Sequence, residues 1–111
     1  MKRTSLLAVF VAVLAFGPSL VRADTPPVTV KIDNFAFADQ TVTVAPGATV
    51  TWVNEDDAPH TVVSTDDGKS FRSKVLDTGD KFTFTFMSAG TFAYFCSIHP
   101  HMTGKVVVKA S

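Results

Sequence analysis

The chain has one cysteine, Cys96, among 111 residues. A single thiol cannot form an internal disulfide, so no disulfide framework holds this protein together. No long apolar run is present: the longest, Leu6 to Phe16, has 11 residues, well short of the ~20 that span a bilayer as a helix. Charge of either sign is not in excess, with 10 basic and 10 acidic residues. No basic patch therefore argues for nucleic acid or an anionic membrane surface as partner. A helical apolar period is missing throughout the chain after its first two dozen residues.

The N-terminus reads "MKRTSLLAVFVAVLAFGPSLVRADTPP". Lys2 and Arg3 precede the apolar run, the Gly17-Pro18 break follows it, and Val21-Arg22-Ala23 offers a small-residue cleavage site. That is the layout of a secretory signal peptide over 1–23. The expected mature chain is a single domain over 24–111, exported, with the periplasm as its compartment and no stable membrane insertion after cleavage. Losing Lys2, Arg3 and Arg22 leaves seven basic against ten acidic residues, a net charge of −3. In an oxidising compartment a lone thiol is exposed to oxidation or dimerisation. Cys96 is therefore either buried and inert or protected as a metal thiolate.

What is present is alternation. "VTVKI" (28–32), "QTVTV" (40–44), "ATVTWVN" (48–54), "HTVVS" (60–64), "KFTFTF" (81–86), "GTFAYFC" (90–96) and "GKVVVK" (104–109) are short runs rich in Val, Thr and Phe, separated by turn residues. The pattern predicts an all-β, antiparallel β-sandwich of about eight strands, with 65–78 as a long irregular loop. Period two puts Phe82, Phe84 and Phe86 on one face, and Phe92, Tyr94 and Cys96 on one face. The thiol then lies at the end of its strand, where the next loop begins. A domain of this size buries only about 60–65% of its chain surface, so a bound metal would add stability.

That next loop is "CSIHPHM" (96–102). Cys96, His99 and Met102 recur every three residues. The residue before proline is pushed toward extended geometry, and polyproline structure repeats every three residues. In such a loop, or in a 3₁₀-like turn, these three side chains should point one way, with His101 out of phase. His60, directly after Pro59, is the only other histidine and the candidate for a fourth ligand. One thiolate, two imidazoles and a thioether select copper, as a trigonal plane with a long axial bond. Zinc gains nothing from methionine, and iron–sulfur clusters need more thiolates. Neither a Ser-His-Asp nor a Cys-His-Asn arrangement with a cleft is visible, so no enzyme is expected. Glu55-Asp56-Asp57 lacks the spacing of a calcium loop and reads as a solvated turn, with steering of a basic partner as the lesser alternative.

The segments "VTWVNEDDAPHTV" (50–62) and "GTFAYFCSIHPHMTGKVVV" (90–108) resemble the cupredoxins, the small blue copper proteins, in their amicyanin, pseudoazurin and plastocyanin branch. The short Cys-x₂-His-x₂-Met loop is amicyanin-like. The resemblance implies a Greek-key β-sandwich and one copper ion, Cu(II)/Cu(I), held by His60, Cys96, His99 and Met102. It also implies one-electron transfer between redox protein partners, which dock transiently on an apolar patch around His99, Pro100 and Ile98. A monomer is expected. Two positions depart from the family pattern. Thr61 stands where many relatives carry an Asn that ties the ligand loops together, and would bond Ser97 instead. His101 stands where amicyanin-type relatives have a bulky apolar residue, and is either a surface side chain or an alternative ligand. The rival function is an extracytoplasmic copper chaperone or buffer that uses the same ligands.

Overall fold

The computed structural model describes residues 26–110; the expected signal peptide and its cleavage site lie outside them. Eight strands run in chain order: β1 Val28–Asp33, β2 Ala36–Phe37, β3 Thr41–Val44, β4 Ala48–Asn54, β5 Val63–Ser64, β6 Lys81–Phe86, β7 Gly90–Phe95 and β8 Thr103–Val108. They form two four-stranded sheets, β2-β1-β4-β6 and β3-β8-β7-β5. The β-sandwich expected from the alternation is the fold. Each sheet also contains one parallel pair, β1 with β4 and β3 with β8. Period two cannot reveal these, because it specifies faces and not strand direction.

Local chemistry sets the corners. Asp33 and Ala36 close the β1–β2 ladder across a two-residue turn, Asn34-Phe35, whose φ values are 54° and 56°. Two positive φ angles define the type I′ hairpin, which matches the twist of the flanking strands. Asn tolerates that conformation. Phe at the second position, where Gly is favoured, is strained by roughly 1–2 kcal/mol. At the other end, Ala45-Pro46-Gly47-Ala48 carries the chain from β3 to β4 on the other sheet. The Ala48 N–H donates to the Ala45 carbonyl at 3.1 Å, and Gly47 takes φ 94°, as a Pro-Gly type II turn requires.

β4 alternates without interruption between buried and half-buried positions. Val50, Trp52 and Asn54 face inward, and Thr49 and Thr51 face out to bond the Thr85 and Thr83 hydroxyls at 2.9 and 3.0 Å. Trp52, Phe71, Phe82, Phe86 and Tyr94 form a continuous aromatic cluster between the sheets. Gly104 pairs with Tyr94 across β7–β8, and a Cβ there would lie 2.6 Å from the phenol oxygen. Glycine at 104 is therefore a matter of space: the tyrosine ring lies against the bare backbone.

"HTVVS" is a strand only at Val63–Ser64. The Thr61 N–H is directed at the Cys96 sulfur and the Val62 N–H at the Ser73 hydroxyl, so neither donor is left for a ladder. The 65–78 loop is irregular, as expected, yet pinned. It pairs back through His60–Leu76 and Val63–Arg72 bridges and delivers Phe71 and Leu76 to the core.

Candidate metal centre

Three polar side chains converge at one end of the sandwich. Cys96 follows β7, and its N–H bonds the Met102 carbonyl at 3.0 Å, while the Met102 N–H bonds the His99 carbonyl at 2.9 Å. These bonds close the loop into a tight turn, which is the local origin of the three-residue interval. His60 reaches the same point from 36 residues away in sequence. It is held by paired backbone bonds to Leu76, 3.1 Å from its N–H and 2.7 Å to its carbonyl.

His60 Nδ1 and His99 Nδ1 each lie 3.8 Å from Cys96 Sγ, and 3.2 Å from each other. Two ring nitrogens with their lone pairs converging repel each other unless a proton or a metal lies between them. The point equidistant from these three atoms is about 2.1 Å from each, the length of a transition-metal bond to imidazole. The donor set therefore fits one metal ion. One soft sulfur and two imidazoles suit copper. Met102 is buried in the same apolar cluster as Cys96. His101 is exposed and lies outside the three-residue group, which fits its reading as a surface side chain.

The surroundings prepare the thiolate. Burial alone would push the Cys96 thiol up. The Thr61 N–H, the His60 ring and the His99 and Ile98 N–H groups outweigh that and bring its pKa down to about 6. A sulfur that is already anionic near neutrality is the form that binds metal. Thr61 also ties the two ligand segments together. Its hydroxyl accepts the Ser97 N–H at 2.7 Å and lies 2.8 Å from the Ser97 hydroxyl. The departure from Asn at this position thus retains the tie through a shorter side chain. The Thr61 N–H lies 3.3 Å from the sulfur, while that of Ser97 is engaged by the Thr61 hydroxyl.

Asp56 departs from the solvated-turn reading, although Glu55 and Asp57 beside it are exposed. Its Oδ2 lies 2.9 Å from His60 Nε2 and accepts the Phe35 N–H at 2.9 Å. Two donors converge on it, so the carboxylate turns inward and its side chain keeps only 12% exposure. The Phe35 N–H first, then the His60 ring, hold its carboxyl below the usual carboxylate range. Phe35 stands edge-on to both imidazoles, with centroids 5.5 Å from His60 and 5.0 Å from His99. Neither residue carries a local motif. The available signal was an apolar residue directly after Asp33-Asn34, where a tight turn favours glycine.

A thiolate and two imidazoles gathered at one end of an eight-stranded sandwich define a small metal-binding β protein. A Cupredoxin-like domain model matches residues 5–108. The chain belongs to the cupredoxin-like family. It is 37% identical over 95 residues to amicyanin from Paracoccus versutus, covering 78% of this chain and 70% of that one. With plastocyanin from Scenedesmus fuscus it shares 34% identity over 97 residues, 74% of this chain and 99% of the relative. Among solved structures, the purple cupredoxin from Nitrosopumilus maritimus superposes with a TM-score of 0.69 at 31% identity, over 74% of this chain and 99% of that one. A Cu(I) form of an amicyanin mutant gives 0.65 at 34% identity, over 74% and 81%.

Proposed function

We propose that this protein is an exported blue copper protein that carries single electrons between redox partners and catalyses no reaction of its own. The observation that supports this most directly is the triangle of Cys96 Sγ, His60 Nδ1 and His99 Nδ1, sized for one metal ion. In this reading His60, Cys96, His99 and Met102 would hold one copper ion. Bound copper supplies a one-electron Cu(II)/Cu(I) couple. The chain's part is to keep the donors still: the His60–Leu76 bridge, the Thr61–Ser97 tie and the closed 96–102 turn resist movement when the charge changes.

Electrons leave and enter through His99, which is half-buried and neighboured by exposed Ile98 and Pro100. A small apolar contact there suits a brief encounter. We assign residues 1–23 to a signal peptide, the mature monomer to 24–111, and the compartment to the periplasm. The copper-handling alternative uses the same ligands and would gain from an extra one nearby at His101, whose exposed position outside the donor group gives that reading no support.

Titration of the purified exported protein with Cu(II), followed by a reductant, tests the reading. An intense visible charge-transfer band that saturates at one copper, bleaches on reduction and returns on reoxidation is expected. A colourless product with Cys96 oxidised would sink it. The intact mass of the same preparation checks cleavage after Ala23.

A further inference from the structure

Asp56 is bound on every side. Besides the two bonds to Oδ2, its Oδ1 accepts the Asp57 N–H at 2.9 Å, its own N–H donates to Asn54 Oδ1 at 2.8 Å, and its carbonyl accepts the Thr78 hydroxyl at 2.6 Å. Asn54 is fully buried and is fixed in turn by bonds to the Ala58 and Leu76 carbonyls at 2.9 and 2.8 Å. The carboxylate therefore has one orientation. A carboxylate only accepts, so His60 must carry its proton on Nε2, which leaves the Nδ1 lone pair pointing at the Cys96 sulfur. An anionic acceptor on the far nitrogen makes the near one a stronger donor. The stronger donor favours the more highly charged ion. The same oxygen holds the N–H of Phe35, whose left-handed backbone places an aromatic ring against both histidines.

We propose that Asp56 is a positioning residue with two tasks: it orients His60 and biases the site toward the oxidised ion, and it clamps the strained Phe35 turn over the two imidazoles as a cover. This rests on the copper reading above, and adds to it a negative charge that acts through a ligand.

The test compares the wild type with Asp56→Asn, which keeps an accepting oxygen and removes the charge. Both should form the visible band. The midpoint potential of D56N should rise by about 59 mV, a tenfold loss of preference for Cu(II) over Cu(I). Equal potentials would overturn the charge role. Phe35→Gly relaxes the turn and removes the ring, and should lose copper to a chelator faster; an unchanged rate would overturn the cover. A third measurement needs neither copper nor a folded variant. In the metal-free wild type, nitrogen NMR should find the His60 proton on Nε2, and a proton on Nδ1 would overturn the orientation. A wild type without the band would instead count against the copper reading, and the NMR result would still decide the Asp56–His60 bond.

Discussion

The two histidine-bearing segments at the copper end are built differently. His60 is fully buried. Its backbone pairs with Leu76, its far nitrogen meets Asp56, and its successor Thr61 reaches across to Cys96 and Ser97. His99 sits in a seven-residue loop with exposed Ser97, Ile98, Pro100 and His101 around it. Among the described contacts, its ring meets only Phe35, His60 and Cys96. One imidazole is anchored in the framework and the other stands at the surface. In the proposed electron-carrier reading, the anchored side keeps the geometry between oxidation states and the open side is where a partner would dock.

The sharpest break in this comparison removes each ring in turn. His60→Gly and His99→Gly should both lose the visible band. Imidazole added to the buffer should restore it in H99G, where the gap opens to solvent, and fail in H60G, where the gap is sealed. Rescue of both, or of neither, in a visible titration would show the two sides to be alike. A smaller effect follows from untying the segments. Thr61→Val removes the acceptor of the Ser97 N–H and should cost about 1 kcal/mol in a denaturant titration, with the band retained.

The acid limb of stability offers a third contrast, away from the metal. The Ser64 hydroxyl first, then that of Ser70, hold the Asp66 carboxyl below its usual value of 3.8. Since the folded carboxyl is the more acidic, it contributes stability above that value, and loses the contribution as the pH falls below it. Thermal melts of Asp66→Asn from neutral pH down to pH 2 should therefore fall less steeply than those of the wild type. The smallest effect is expected at His101. His101→Phe, at an exposed position outside the donor group, should leave the spectrum and the electron-transfer rate almost unchanged. A large loss of rate with copper still bound would reopen the copper-handling role.

Much of this was legible in the residues because it is local. Alternation in "KFTFTF" placed Phe82, Phe84 and Phe86 on one face, and the Cys-x₂-His-x₂-Met interval marked the loop that a tight turn then closes. The region 65–78 was legible only as irregular: no short-range pattern shows that Phe71 reaches the aromatic core or that Leu76 pairs with His60. Asp56 was misread because an acidic run in a loop is ordinarily solvated. What turned its carboxylate inward was the Phe35 N–H, 21 residues earlier.

By itself the sequence determined the types of donor, their spacing in the loop and the two faces of each strand, since each depends on neighbours a few residues apart. The tertiary structure alone decided that strands β1 and β4 run parallel, that His60 meets Cys96 and His99, and that a turn at Phe35 and a carboxylate at Asp56 close over them. Apart from Asp56 and His60, which are four residues apart, those contacts join segments more than twenty residues apart, and only the packing of the two sheets brings them within reach.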